Sequence, residues 1–347
     1  MKDWRAALVS PDTPIKDVLQ VIDAVRIGVV VDGDRRLLGT ITDGDIRRGL
    51  LRQLSLDQPV SAIMHTTPHV ASARLSRAEI RQLPEASLFR FLPVVDDDNQ
   101  VVGLEGVVAM VSPQLSSNLV VLMAGGKGTR LRPLTETVPK PMLKVGARPL
   151  LETILLHIAE QGFNHFLISV NYHAEMITQH FESGRRWNVD IAYLHEDRQL
   201  GTAGALSLIR ERPDKPFVVM NGDLLTKVDL LHLLDYHAET NALATMCVRE
   251  YDLQVPYGVV NIEANRIRSI EEKPVHRFFV NAGIYVFSPE VLDLIKPDTD
   301  LDMPALFDRI IETGNRPAVF PIREYWLDIG KLDDFHRANV EFSEVFS

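Results

Sequence analysis

Hydrophobic positions follow two alternating periods along the 347-residue chain. From residue 118 onward, apolar runs of strand length recur: NLVVLMA (118–124), HFLISV (165–170), VDIAYLH (189–195) and FVVM (217–220). Between the first two, Leu151, Ile154, Leu155, Ile158 and Ala159 keep helical spacing, and Gly162 supplies a stop. Further helices are predicted near 173–182, 203–211 and 229–239, with an amphipathic one at the C-terminal end. YGVVNIEANRIRSIEEKP (257–274) reads as a hairpin turning at Glu263 to Arg266, and FVNAGIYVF (279–287) as a strand. Strands alternating with helices predict an α/β domain with a mostly parallel sheet and helices on both faces.

The first 112 residues follow a different pattern. RIGVVVDGDRRLLG (26–39) repeats as RFLPVVDDDNQVVG (90–103) at an offset of 64 residues without a gap. Each copy reads as strand, acidic turn, strand. Helical spacing flanks the first copy, with Ile15, Val18, Leu19 and Ile22 before it and Ile46, Leu50 and Leu51 after it. The polar segment Ser112 to Ser117 reads as a linker. The expected domains are therefore 1–112 and 118–347.

Composition narrows the partners. Net charge is -10, which argues against a general nucleic-acid or membrane-surface binder, since both of those partners are polyanionic. Cys247 is the only cysteine, so no intrachain disulfide forms, which fits a reducing cytoplasm. MKDWRAAL has no signal-peptide core, and no apolar run approaches the roughly 18 residues of a membrane helix. His65 and His69 have metal-like spacing, but Pro68 interrupts them and a loop is expected. His232 and His237 do not share a helix face well.

Against this acidic background, VLMAGGKGTRLRPLTETVPKPML (121–143) concentrates glycine and positive charge directly after a strand. Gly125, Gly126 and Gly128 allow close backbone approach, and successive N–H groups can cup phosphate oxygens. Arg130 offers a fork of donors and Lys140 a point charge, the latter held between Pro139 and Pro141. Walker A is excluded because Gly128, not Ser or Thr, follows Gly126-Lys127. The dinucleotide fingerprint is excluded because its third glycine would fall on Leu131. In VMNGDLL (219–225), Asp223 follows a buried strand, a common place for a metal or catalytic carboxylate.

The unbroken string AGGKGTRLRPLTETVPKPM resembles the signature of sugar-1-phosphate nucleotidylyltransferases, specifically the glucosamine-1-phosphate and mannose-1-phosphate guanylyltransferase group. The resemblance implies a Rossmann-like, GT-A-like catalytic domain. It implies a nucleotide held by Ala124, Gly125, Gly126, Gly128, Thr129 and Asp223, and catalytic cations Arg130, Lys140 and Lys273. It assigns Asp223 and Asp328 (in YWLDIGKLDDF) to Mg²⁺, a hard cation suited to carboxylate and phosphate oxygens. Lys331 stands where the family often has Thr, which alters the local phosphate environment. Glu272 of the Glu-Lys-Pro element, Asn281 and Gly258 would bind the sugar. In HEDRQLGTAGAL (195–206), Gly201 and Gly204 would open space for a flat ring. Glu196 could accept from the neighbouring donors of guanine, and Gln199 could instead read a pyrimidine.

The N-terminal repeat resembles the tandem CBS module, an α+β pair. GTITDGDIRR (39–48) carries its Thr42/Asp45 pair, which implies an adenine-nucleotide site; Asp45 as a simple helix cap is the alternative. The second copy has Gly106 and Ala109 in the matching places and has lost the pair. Such pairs commonly dimerise, so a homo-oligomer is expected. The implied reaction moves GMP from GTP to a sugar 1-phosphate, first glucosamine 1-phosphate, for bacterial surface glycans or legionaminic acid. Mannose or heptose 1-phosphate, and uridylyl or thymidylyl transfer, are alternatives. A nucleotide sensor without transferase activity is the competing class, against which the presence of all five of Arg130, Lys140, Asp223, Lys273 and Asp328 argues.

Overall fold

In the C-terminal unit the strands at 120–123 and 217–220 are apolar on both sides, which requires a sheet covered on both faces. A computed structural model describes residues 4–83, 91–106 and 116–346, and the chain divides into two units, Met1–Ser112 and Pro113–Ser347. Seven strands of the second unit form one sheet. Their spatial order is Asp190–His195, His165–Val170, Val120–Met123, Phe217–Asn221, Val275–Phe287, Ala244–Gln254 and Ala318–Ile322. The first four run parallel, and Val275–Phe287 is antiparallel to both of its neighbours.

Alternation within the strands separates two cores. Val120, Leu122, Val218 and Met220 pack with helices Leu150–Glu160, Ala174–Phe181 and Leu230–Thr240. Val121, Val219 and Phe217 pack on the other face with helix Met303–Glu312 and with Ala203 and Leu206. The helix expected over 203–211 instead runs Gly201–Gly204 and continues as a 3-10 turn, Ala205–Leu208. The Leu301 carbonyl accepts from the Ala203 and Gly204 amides at 2.8 and 2.9 Å, fixing the earlier start, and Ile209 turns extended. Strands Ala244–Gln254 and Ala318–Ile322 and helix Met303–Glu312 are additions to the sequence-based reading.

The repeat of the first unit is structural as well as sequential. Val30 pairs with Gly39 and Val94 with Gly103, and each hairpin shifts register one residue later, at Val31 and Val95. Asp32 Oδ1 accepts from the amides of Asp34 and Arg36, as Asp96 Oδ1 does from those of Asp98 and Gln100. The hairpin tips pair, with Leu37 N donating to Asn99 O and Val101 N to Arg35 O, both at 2.9 Å. Val29, Val31, Val95, Val101 and Leu104 share one core. Ala109 and residues 112–115 of the expected linker lie outside the described residues. Ser116 and Ser117, assigned to that linker, already belong to the second unit: Ser116 N donates to Gly162 O at 2.7 Å and Ser117 Oγ accepts from Lys215 at 2.7 Å.

Thr42 caps helix Asp43–Leu51. Asp45 Oδ2 accepts from both Thr42 N and Thr42 Oγ1 at 2.8 Å, and Asp45 Oδ1 accepts from Arg48 at 2.7 Å. Both carboxylate oxygens of the pair read as a nucleotide site are thus engaged within the helix N-terminus, which is the capping role. No described helix is long and apolar enough to cross a membrane.

Candidate active site

Three neighbouring parallel strands end together, and their following loops meet at the carboxyl edge, where ligands bind in sheets of this kind. Met123 O accepts from Gly222 N at 2.8 Å, so the loop beginning at Ala124 lies beside the one carrying Asp223. Ala124 N donates to Ser169 O at 2.9 Å and Glu196 N to Val170 O at 3.0 Å, which joins the third strand and the base loop. A cleft of about 230 Å³ opens here. Ala124, Gly126, Gly128, Thr129, Arg130, Lys140 and Asp223 line it, together with Gly222 and Gly330.

Local structure fixes the cations. Gly128 sits at φ 61°, and a Cβ there would stand 2.9 Å from Lys140 Cβ and 3.1 Å from Thr135 Cγ2, so only glycine fits. Thr135 Oγ1 donates to Gly128 O at 2.8 Å and closes the loop. Gly126 has no neighbour within 4 Å of its Cβ direction and faces open space. Lys140 is buried and its ammonium donates to Asp223 Oδ2. Arg130 sits in the 3-10 turn Thr129–Leu131.

Asp328 reaches this place through a long-range ladder. Leu224 pairs with Asp328 across the antiparallel strands Leu224–Thr226 and Trp326–Asp328, and Ile329 N donates to Asp223 O at 3.1 Å. The Cβ direction of Gly330 lies 3.5 Å from both Arg130 Nη1 and Asp328 Oδ2. Burial, then the charge of Asp223, pushes Asp328 above the ordinary carboxylate range, while Lys140 and Arg130 pull it back. Two carboxylates and two cations therefore share one electrostatic neighbourhood. Asp223 Oδ1 is buried and accepts no hydrogen bond. Such an orphaned acceptor beside a second carboxylate fits a hard divalent cation. Among the described residues no cluster of three His, Cys, Asp or Glu supplies a fuller cage, so substrate oxygens or water would complete the coordination.

Glu196 is tied to the protein. Ser169 Oγ donates to its Oε1 and Leu200 N to its Oε2 at 3.1 Å, and Gly125 leaves room for it, since a Cβ there would stand 2.6 Å from Oε1. Its carboxylate is thus held by Ser169 and Leu200 against the space beside Gly125. Gly201 and Gly204 do not open space for a ring on their Cβ sides. Added Cβ atoms would meet Leu301 O at 2.6 Å and Thr299 O at 2.4 Å, and Gly201 also needs its φ of 76°.

The residues assigned to the sugar are carried by other elements. Gly258 pairs with Glu272 in the exposed hairpin Gly258–Glu263 and Arg266–Glu272, whose turn residues Ala264 and Asn265 have φ 46° and 64°. Lys273 follows at φ 47°, and none of these three lines the cleft. Asn281 Oδ1 accepts from Gly283 N at 2.9 Å and its Nδ2 donates to Tyr285 Oη at 2.8 Å. Gly222 and Gly330 were missed; the triplets Asn221-Gly222-Asp223 and Asp328-Ile329-Gly330, each a glycine at a strand end, were the available signal.

Comparison with known proteins follows the two units. A family model described as nucleotidyl transferase matches residues 119–344, and a CBS domain model matches residues 5–52. A UTP–glucose-1-phosphate uridylyltransferase from a Synechocystis species is 35% identical over 63% of this chain and 61% of its own length. A mannose-1-phosphate guanyltransferase from Candida albicans is 33% identical over 62% of each chain. The chain thus spans about three-fifths of the length of these curated relatives. Among solved structures, HddC from Yersinia pseudotuberculosis, known also as a complex with GMP-PN, superimposes with TM-score 0.51 at 25% identity. It covers 65% of this chain and 99% of its own. A glucose-1-phosphate thymidylyltransferase described as putative, from Bacillus anthracis, shares the fold with TM-score 0.52 at 24% identity, over 64% and 94% of the two chains.

Proposed function

The chain belongs to the nucleotidyl transferase family, and from that premise we propose that it transfers a nucleoside monophosphate from a nucleoside triphosphate to a sugar 1-phosphate. The observation that carries this reading is the meeting of Arg130, Lys140, Asp223 and Asp328 at the carboxyl edge of the sheet, beside a glycine loop with an open face.

A phosphate oxygen of the sugar 1-phosphate attacks the α-phosphorus. The new O–P bond forms as the bond to the β-phosphate oxygen breaks, and pyrophosphate leaves. The attacking oxygen is already anionic, so no protein nucleophile or base is required. The obstacle is repulsion among anions, and the protein meets it by positioning and electrostatics. Backbone amides around Gly126 cradle phosphate oxygens. Arg130 spans two of them, and Lys140, held by Asp223, neutralises developing charge in a partly dry cleft. Asp223 and Asp328 would hold Mg²⁺, which supplies charge neutralisation to the triphosphate when bound. Glu272, Lys273, Gly258 and Asn281 are assigned to the sugar phosphate.

The donor is proposed to be GTP, supported by the guanyltransferase relatives and by the GMP-PN complex of the Yersinia neighbour. Glucosamine 1-phosphate is proposed as acceptor, with mannose and heptose 1-phosphates next. Pyrophosphate release measured with GTP, UTP and dTTP, each against this panel, tests donor and acceptor together. Absence of release with every pair would remove the transferase reading and leave a nucleotide-binding protein.

A further inference from the structure

The residues at the end of strand His165–Val170 reach two loops of the cleft at once. Ser169 Oγ donates to Glu196 Oε1, and Asn171 Nδ2 donates to Glu196 O at 2.6 Å, which fixes the start of the base loop. The next side chain, Tyr172, serves the loop between Arg130 and Lys140. Its single hydroxyl proton is shared between Glu136 O at 3.0 Å and Thr135 O at 3.3 Å. His173 follows at φ 51°, a conformation disfavoured for a residue with a Cβ, and its ring centroid lies 4.1 Å from that of Tyr172. The sharp turn thus sets an imidazole against the phenol ring that holds the loop.

From Thr129 to Val138 only Leu131 and Thr135 are buried. The backbone bonds of this stretch are local: Leu131 N to Gly128 O, Leu134 N to Leu131 O and Glu136 N to Pro133 O. Among the described residues, the hydrogen bonds that reach it from outside 128–139 are those of Tyr172. A segment with few buried contacts opens at little cost, so a single tertiary bond weighs heavily in it. Thr135 passes the constraint on, because its Oγ1 donates to Gly128 O at 2.8 Å, beside the turn that bears Arg130. Lys140 is held separately, by Asp223. Releasing Tyr172 therefore loosens the Gly128–Arg130 end of the loop and leaves Lys140 in place.

We propose that Tyr172 is a positioning residue: its hydroxyl orders the segment 129–138 and thereby sets Gly128 and Arg130 on the triphosphate. What the loop binds rests on the transfer reading; how it is held rests on the geometry alone, and the two are tested separately. Y172F removes one hydroxyl from a half-buried ring, so the full-length variant should remain folded by circular dichroism. Without substrate, hydrogen exchange at Leu131, Leu134 and Glu136 should quicken about two- to tenfold, the worth of one neutral hydrogen bond, with helix Leu150–Glu160 unchanged. By calorimetry the variant should bind GTP about two- to tenfold more weakly and guanosine as tightly as the wild type does. The KM for GTP should rise by the same factor while that for the sugar 1-phosphate stays. Equal exchange at 129–138 in the two proteins overturns the proposal. So does a parallel weakening of GTP and guanosine, which would mark a merely structural role. A wild type that binds no GTP would instead count against the transfer reading with that donor, and the exchange result then decides on Tyr172 by itself.

Discussion

Two glycines two residues apart separate what the loop needs for folding from what it needs for binding. Gly128→Ala puts a Cβ on a residue at φ 61° and 2.9 Å from Lys140 Cβ. The left-handed conformation costs roughly 1–2 kcal/mol for a residue with a Cβ. Overpacking against Lys140 and Thr135 adds roughly 1–3 kcal/mol. At about 2–4 °C per kcal/mol for a unit of this size, the melting transition of the second unit should fall by about 5–15 °C. Gly126→Ala meets nothing within 4 Å and lines the cleft, so melting should stay within about 2 °C of wild type. Its methyl occupies the space a phosphate would use. Losing a hydrogen bond to a charged oxygen costs about 1.5–3 kcal/mol, so kcat/KM for the nucleoside triphosphate should drop about ten- to a hundredfold. Differential scanning fluorimetry and continuous pyrophosphate release read the two effects. An unchanged kcat/KM in Gly126→Ala would refute the loop as a phosphate cradle, and unchanged melting in Gly128→Ala would refute the packing argument.

Three other outcomes are expected. Asp223→Asn keeps an acceptor for Lys140 but removes the charge opposite Asp328, so turnover should fall at least about a hundredfold with circular dichroism unaltered; wild-type rates at saturating Mg²⁺ would rule out the metal role. Asp45→Ala removes the capping box and the Arg48 partner and should destabilise the first unit by about 1 kcal/mol. Calorimetry on the same variant then decides the nucleotide question, since equal adenine-nucleotide affinity in mutant and wild type would exclude Asp45 as a ligand. His237 is buried between Thr245 and Ser288, and burial lowers it to about 4 from its usual 6.5. Unfolding lets it take up a proton, so its stabilisation is complete above pH 6.5 and is lost as pH falls towards 4, by up to about 3 kcal/mol. Urea midpoints at pH 7 and 5 should converge in His237→Gln relative to wild type; an equal pH dependence in both would contradict a neutral buried imidazole.

Much of the architecture is legible in consecutive residues. The runs at 118–124, 165–170, 189–195 and 217–220 announce strands, and the 64-residue repeat carries over into hairpin register and matching Asp32 and Asp96 turns, because periodicity and turn chemistry are local properties. The glycine loop is legible for the same reason. Strand neighbours are not, since they depend on which faces can be buried together. Val275–Phe287 inserts between Phe217–Asn221 and Ala244–Gln254, and Asp328 arrives beside Asp223 from 105 positions away through a three-pair ladder. Only the tertiary arrangement decided that Glu196 meets Ser169 and lies against Gly125, and that Glu272 and Lys273 stand on an exposed ribbon, whereas the Thr42–Asp45 capping box is local. A side chain's type sets what it can bond to; which partner it meets is set by distant segments competing for the same buried space.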